Sequence, residues 1–219
     1  MKSKQLTKWM EQVFLYLIIP VFIYLYIDEL RDLTKGISLI ALFLPGISVI
    51  LFIVLKKKYK MTNKEIFYIG SWKKEWKSLL LMFTISVILY SWITWYYMPE
   101  YFMKFPLENF PQWILVMFLY PILSVIPQGI IYRLFFFQRY QSLYRNHIVL
   151  IVFSALYFCF AHIIFNNFIA IGFTIMGGLL FAWRYYRSRS ILISCLEHSL
   201  YGNLLFTIGI GKFLVVEMQ

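Results

Sequence analysis

The sequence predicts an all-α, polytopic transmembrane helical bundle with about seven spans and its N-terminus inside. Hydrophobic residues make up 61% of the 219 residues and charged residues 14%, and the mean hydropathy is +0.71. Soluble globular domains are about 45–50% apolar and about 25% charged. The excess apolar surface is therefore expected to face lipid, and helices that pair all their own backbone groups are the structures that can cross a bilayer.

Seven apolar runs approach the length of about 20 residues that spans the hydrocarbon core. They are Val13–Ile27, Ile37–Leu55, Leu79–Met98, Trp113–Tyr132, Ile148–Phe165, Phe168–Tyr185 and Ile191–Ile208. The first run lacks a small-residue cleavage site and is interpreted as a retained span. No repeat or linker divides the chain, so residues 1–219 are expected to form a single membrane-embedded domain.

The basic residues predict the orientation of the spans. Those that precede the first run or follow the second, fourth and sixth are Lys2, Lys4, Lys8, Lys56, Lys57, Lys58, Lys60, Lys64, Lys73, Lys74, Lys77, Arg133, Arg139, Arg145, Arg184, Arg187 and Arg189. The intervening connections carry the acidic residues Asp28, Glu29, Asp32, Glu100 and Glu108. The positive-inside rule then places the N-terminus inside and the C-terminus outside.

The net charge of +11 lies in the connections between spans. This distribution favours contact with lipid headgroups and disfavours nucleic acid as a partner. Cys159 and Cys195 both lie inside apolar runs, where a thiol behaves as a small hydrophobe. They predict no disulfide framework.

Three polar clusters interrupt the fourth, fifth and seventh spans. They are Gln128–Arg133, Phe158–His162 and Glu197–Asn203. An ionisable group inside a span is costly, so each one is a functional hypothesis. Pro111, Pro121 and Pro127 punctuate the fourth span. They predict either a broken helix that lines a polar cavity or an ordinary packing kink.

In order and spacing these clusters resemble the CAAX-protease and bacteriocin-processing (CPBP/Abi) family of intramembrane endopeptidases, which includes the prenyl-protein proteases. The family pattern is Glu-Glu-x-x-x-Arg, then Phe-x-x-x-His, then His-x-x-x-Asn, on successive transmembrane helices. Arg133, Phe158, His162 and His198 match it, and the region of resemblance is residues 111–211. The resemblance implies that a glutamate and a histidine activate a water molecule, while the last histidine and the asparagine hold the oxyanion.

The chain departs from this pattern at three positions. Gln128 and Gly129 replace the paired glutamates, and the asparagine is Asn203 rather than residue 202. Asn203 therefore lies about 100° further around a regular helix, unless a π-bulge near Gly202 restores its direction. The predicted catalytic residues are His162 for proton transfer, Gln128 to orient water, and His198 with Asn203 for the oxyanion.

Glu197 is the remaining carboxylate within the spans. We interpret it as the partner of a buried cation, either Arg133 or a protonated histidine, with a substitute catalytic base as the alternative. A divalent metal at His162 and His198 would need a further ligand among Glu197, Gln128 and Asn203. No other cofactor is expected.

One geometric condition tests the shared site. His162 lies about 14 residues from the inner end of its span and His198 about seven, which corresponds to roughly 10 Å of depth at ~1.5 Å per residue. Helix tilt, or a fifth span that starts deeper, must close this difference.

The sequence leaves two functions open in different classes. One is a membrane-embedded endopeptidase-type protein that acts on membrane-anchored or lipidated peptides in the plasma (cytoplasmic) membrane. The other is a catalytically silent family member, a pseudoenzyme, that binds a membrane partner or peptide as a scaffold or immunity protein. A small-solute transporter ranks below both because the chain lacks an internal repeat.

Overall fold

A computed structural model describes residues 2–27, 29–30 and 39–215 of the chain. Within these ranges every regular element is helical. In chain order the helices are α1 (Ser3–Leu25), α2 (Leu39–Lys57), α3 (Asn63–Ile66), α4 (Trp72–Tyr97), α5 (Lys104–Glu108), α6 (Phe110–Leu143), α7 (His147–Phe165), α8 (Phe168–Ser188) and α9 (Ile191–Ile208), followed by a 3₁₀ turn at Ile210–Leu214.

Among the described residues, six helices are long and apolar enough to cross a membrane: α1, α4, α6, α7, α8 and α9. The predicted polytopic helical bundle is confirmed. The predicted second span starts at Ile37, outside the described residues, and its described part forms α2. Asp28 and Asp32 of the first acidic connection also lie outside them.

The fourth span is longer than predicted. It was expected to end at Tyr132, but α6 continues to Leu143 and carries Arg133 as a buried residue with 1% exposure. Two π-helical turns, Pro121–Val125 and Ile130–Phe135, flank a single α-helical turn at Ile126–Gly129. Proline removes a backbone donor, and π turns are frequent at functional sites. The prolines thus accompany a distorted helix at the predicted site.

The helix ends that were assigned to the inner side pack together at one end of the bundle. The Glu11 carboxylate of α1 accepts hydrogen bonds from Arg139 and from the hydroxyl of Tyr140 on α6. At the start of α4, the Ser71 hydroxyl donates to the Ser188 carbonyl oxygen over 2.6 Å. The N-terminus-inside orientation itself stays a prediction.

A buried ion network joins α4, α8 and α9. Arg184, with no exposed surface, donates from Nε and Nη2 to both carboxylate oxygens of Glu197 over 2.9 and 2.8 Å. Its Nη1 donates to Glu75, which also pairs with Arg187 at 2.9 Å. The prediction that Glu197 neutralises Arg133 or a histidine is therefore wrong. Its cation is Arg184, which the sequence had placed at the lipid headgroups.

We expect Arg184→Leu to lower the free energy of unfolding by about 3 kcal/mol or more, because it leaves the buried Glu197 carboxylate without its cation. Reversible unfolding in mixed detergent micelles measures this loss. The matched control is Lys104→Ala, which removes the exposed 4.0 Å pair with Glu108. Exposed pairs contribute about 0–1 kcal/mol. Equal losses for the two variants would contradict a stabilising role for the network.

Candidate active site

A cavity of about 860 Å³ lies within the bundle. Side chains from α1, α2, α4, α6, α7, α8 and α9 line it, and most of its wall is apolar. Gln128, His162 and His198 all line this cavity, together with Tyr120 and Ser124 of α6. The structure therefore brings the three predicted polar side chains, from three helices, to one cavity.

The expected difference in depth between the two histidines is closed. Both imidazoles contact the ring of Phe158, with ring centroids 4.5 Å from Phe158 for His162 and 5.5 Å for His198. The start of α9 explains this result, because Ser188 and Ser190 are buried whereas Ile148 at the start of α7 is 62% exposed. The seventh span begins among buried residues, so its eighth residue, His198, reaches the depth of His162.

His162 is held by the end of its own helix. The α7 helix tightens into a 3₁₀ turn at Ala161–Phe165, and Nδ1 of His162 lies 2.6 Å from the carbonyl oxygen of Phe158. A carbonyl can only accept, so Nδ1 carries the hydrogen and Nε2 of the neutral ring carries a lone pair. This Nε2 makes no hydrogen bond among the described residues. His162 thus offers a proton acceptor on the wall of the cavity.

Arg133 lies between two aromatic rings. Its Cζ is 5.2 Å from the centroid of Phe158 and 5.3 Å from that of Phe181, and Nη2 lies 3.4 Å from Nδ1 of His198. Within the described residues it contacts no carboxylate, and its buried Nη1 has no hydrogen-bond partner. The aromatic faces offset part of the cost of this desolvated cation.

The Arg133 contact decides the tautomer of His198. Guanidinium has no acceptor, so Nδ1 of His198 must accept, and the ring hydrogen sits on Nε2. That Nε2 lies 3.1 Å from the hydroxyl oxygen of Tyr120 and donates to it. The ring is also stacked on Phe181, with centroids 4.4 Å apart. His198 is consequently fixed in position, and both of its nitrogens are occupied.

Gln128 is partly satisfied. Its Nε2 donates to the Ser124 hydroxyl over 2.8 Å, one helical turn earlier, while its buried Oε1 has no partner among the described residues. An unpaired buried acceptor costs free energy unless water or a ligand reaches it. Gln128 therefore keeps a buried acceptor without a partner among the described residues, on a side chain that lines the cavity.

Side chains of α9 fill the space beside the neighbouring residue, Gly129. A Cβ atom added at Gly129 would lie 2.5 Å from Sγ of Cys195, 3.2 Å from Cδ1 of Ile191 and 3.5 Å from Nη1 of Arg133. A side chain here would thus face the unpaired Arg133 nitrogen, but the Cys195 sulfur occupies its path.

Asn203 does not line the cavity. Its amide nitrogen donates to the carbonyl oxygen of Met117 over 3.1 Å, and α9 is a regular α-helix through Gly202 without the π-bulge that would redirect the side chain. Among the described residues, π turns occur in α6 and in α1 instead. This geometry does not support the oxyanion role predicted for Asn203, because the residue five positions after His198 faces another helix.

Glu197 does not line the cavity either, because both of its oxygens bind Arg184. It therefore cannot serve as the substitute base. Within the described ranges no three His, Cys, Asp or Glu side chains are grouped to hold a metal ion. The metal considered at His162 and His198 finds no third ligand there, and the two nitrogens of His198 already bind Arg133 and Tyr120.

Comparison with known proteins gives one match. Residues 110–204 match the family described as type II CAAX prenyl endopeptidase Rce1-like. The predicted resemblance to the CAAX-protease family is confirmed. No curated protein and no solved structure matches the chain. The matched segment contains α6 to the middle of α9, and so includes Gln128, Arg133, His162 and His198. The chain is a multi-pass membrane protein, and its residues 110–204 are similar to the CAAX-protease type.

Sequence reasoning missed Tyr120, Glu75 and Arg184. The two charged residues stand near lysines or arginines at the ends of apolar runs, which is also the pattern of headgroup contacts. Tyr120 stands directly before Pro121 in an aromatic-rich span and belongs to no motif. Glycine at position 202, where the CAAX-protease pattern has asparagine, was the available signal that another helix approaches α9 closely.

We expect Gly129→Glu alone to destabilise the protein, because its Cβ overlaps Cys195, and expect Cys195→Ala to relieve much of that loss. The double variant frees the path of the new carboxylate toward Nη1 of Arg133, where it can neutralise the buried charge. Thermal unfolding of the single and double variants in detergent gives their coupling free energy.

Cys159→Ala is the matched control, since Cys159 is also a buried cysteine but contacts α8 through the Ile171 carbonyl oxygen. It should give no relief. Additive effects of Gly129→Glu and Cys195→Ala would show that the sulfur does not block the position.

Proposed function

We propose that this protein is a membrane-embedded endopeptidase-type protein that takes a membrane-anchored or lipidated peptide into its cavity and cleaves it slowly. One observation carries this proposal: two unpaired acceptors, Nε2 of His162 and Oε1 of Gln128, belong to side chains that line the same cavity. A water molecule has two O–H donors, one for each of these acceptors. Such a water would be oriented by Gln128 and deprotonated by His162.

The chemistry then needs no group that the chain lacks. The oxygen of the water forms a bond to the peptide carbonyl carbon as its proton passes to Nε2 of His162. The carbonyl becomes an oxyanion that requires donors in the cavity. As the C–N bond breaks, His162 returns the proton to the leaving amine. Each turnover consumes one water and leaves His162 neutral.

Gln128 makes this reaction slow. In the family pattern the position carries a glutamate, whose carboxylate can take a proton and can stabilise a protonated histidine. A glutamine amide can only orient the water. Among the described residues, His162 must therefore form a cation without a neighbouring anion, while the uncompensated charge of Arg133 contacts the same Phe158 ring. The missing carboxylate therefore predicts a high activation free energy for hydrolysis, while the reaction itself stays the same.

The cavity walls favour a lipid-modified substrate. About 860 Å³ of largely apolar space is within the range of about 300–1,000 Å³ that is typical of ligand sites. Its polar groups are concentrated on α6, α7 and α9. An apolar chain can therefore contact the apolar walls while the peptide carbonyl reaches the polar side chains. The family description, a prenyl endopeptidase, supports the same substrate class.

We also propose the plasma (cytoplasmic) membrane as the location. Exposed lysines concentrate between α2 and α4, at the end of the bundle predicted to lie inside. Such a cluster favours an anionic inner leaflet. Membrane lipids and a membrane-anchored or lipidated peptide or protein are the proposed partners.

The second candidate function is a catalytically silent binding protein that acts as a scaffold or immunity protein. A specific observation favours it: no Asp or Glu lines the cavity in the part of the chain that the structure describes. The cavity would then retain a lipidated peptide without cleaving it. The two candidates share the ligand and differ only in turnover.

We expect Gln128→Glu to raise the rate of cleavage of a farnesylated peptide by about 10²-fold or more, because it adds the missing proton acceptor beside His162. The change preserves the side-chain shape, and the Ser124 hydroxyl can reverse its hydrogen bond and donate to the new carboxylate. Release of the C-terminal fragment, measured by mass spectrometry in detergent and in vesicles, quantifies the rate.

The control for adding a carboxylate to α6 is Gln112→Glu, on the exposed start of the same helix, which should leave the rate unchanged. His162→Ala in the Gln128→Glu background should abolish cleavage. Saturable binding of the peptide without cleavage, in both the wild type and Gln128→Glu, would support the silent binding protein. Absence of binding would contradict both candidates.

A further inference from the structure

The hydroxyl group of Tyr120 is the end of a one-way series of hydrogen bonds. Arg133 can only donate, so it donates to Nδ1 of His198, and Nε2 of His198 in turn donates to the Tyr120 oxygen. The phenolic hydrogen is then left over, because Tyr120 makes no second hydrogen bond among the described residues. Since Tyr120 lines the cavity, this hydrogen is available to a ligand there.

The phenol ring of Tyr120 also fills the space beside Gly202 of α9. A Cβ atom added at Gly202 would overlap Cε1, Cζ and the hydroxyl oxygen of Tyr120. Position 202 lies one helical turn after His198, which is where the CAAX-protease pattern carries its asparagine. The polar tip of Tyr120 therefore stands where the first atoms of that asparagine side chain would be. A donor from α6 has replaced a donor from α9.

We propose that Tyr120 is the residue of this cavity that binds the carbonyl oxygen of the peptide, and that His198 acts through it as a positioning residue. This inference rests on the proposed function, because it names the donor for the peptide that the cavity is proposed to hold. It assigns the oxyanion contact to Tyr120 instead of Asn203 or His198.

The series of donors suits this role physically. His198 has both nitrogens occupied, so it has none left for a substrate. Each donor in the series polarises the next, and the buried charge of Arg133 stands at its start. In a cavity with largely apolar walls, such a preoriented donor stabilises a developing oxyanion without rearrangement. The stacking on Phe181 and the contact with Phe158 fix the imidazole in the middle.

Infrared difference spectroscopy tests the contact directly and needs no turnover. The probe is a farnesylated peptide with a carbon-13 carbonyl placed, one at a time, in its last four residues. In the wild type, one labelled carbonyl should shift to lower frequency on binding. Tyr120→Phe removes only the hydroxyl, and the shift should be lost while the peptide still binds. A shift that persists in bound Tyr120→Phe overturns the assignment.

Tyr185→Phe is the matched control. Tyr185 is a buried tyrosine of α8 that packs edge-on against Phe137 and does not line the cavity. Its variant should retain the wild-type shift. If the wild type shows no saturable binding of the peptide, the proposed function fails and this inference fails with it. Binding without a shifted carbonyl overturns only the role of Tyr120.

A pair of substitutions tests the exchange of donors independently. Gly202→Asn alone should disrupt the site, because its Cβ overlaps the phenol. Tyr120→Leu removes the overlapping atoms and keeps an apolar side chain. Tyr120→Leu with Gly202→Asn should recover the carbonyl shift that Tyr120→Leu loses.

In the Gln128→Glu background, Tyr120→Phe should lower kcat by about 100-fold with little change in KM, the effect of losing one oxyanion donor. An unchanged kcat, or no recovery in the Tyr120→Leu/Gly202→Asn pair, would contradict the proposal.

Discussion

The buried guanidinium of Arg133 determines the direction of the hydrogen bonds that follow it in the site. It has no carboxylate beside it within the described residues, and two aromatic faces and one imidazole nitrogen provide its contacts. Because guanidinium cannot accept, His198 must be neutral with its hydrogen on Nε2, and Tyr120 must receive that hydrogen. In the family pattern this arginine stands four residues after a glutamate. In this chain Arg133 lacks that glutamate and orients the hydrogen-bond donors His198 and Tyr120.

The charge of the second buried arginine, Arg184, is fully compensated by carboxylates. Arg184 binds two carboxylates from two other helices, and this network fixes the start of α4 and the first half of α9. Arg133 and Arg184 thus divide the bundle into a structural charge cluster and an open polar site. Glu197, the nearest spare carboxylate in sequence, belongs wholly to the first. Among the described residues, this division leaves the cavity without an anion beside its two histidines.

The sequence predicts the apolar parts of the membrane helices because hydrocarbon thickness acts directly on the length of apolar runs. It misses the more polar first turns of α1 and α4, which begin ten residues before Val13 and seven before Leu79. Ile191–Ile208 is both the predicted run and the observed α9, and α7 and α8 differ from prediction by at most three residues at one end. The same logic ended the fourth span at Arg133, because a charged residue normally marks a headgroup region. The rings of Phe158 and Phe181, from two other helices, offset part of the cost of burying Arg133. The sequence pattern along one helix does not show these contacts.

The sequence predicted which residues gather at the site, but not the direction in which each side chain points. The order and spacing of the motifs predicted that Gln128, His162 and His198 share a site. The direction of the Asn203 side chain depended on a π turn in α9, which is absent because α9 is a regular α-helix from Ile191 to Ile208. Each departure from the family pattern has a neighbour that fills the vacated volume or hydrogen bond: Ser124 holds Gln128, Cys195 covers Gly129, and Tyr120 replaces the side chain at Gly202. Two of these neighbours come from helices other than the one they complete. The substitutions are therefore coupled through packing, and the site is a variant of the family arrangement in which the vacated volumes are filled but the charges of both lost carboxylates, at Gln128 and Gly129, are not replaced among the described residues.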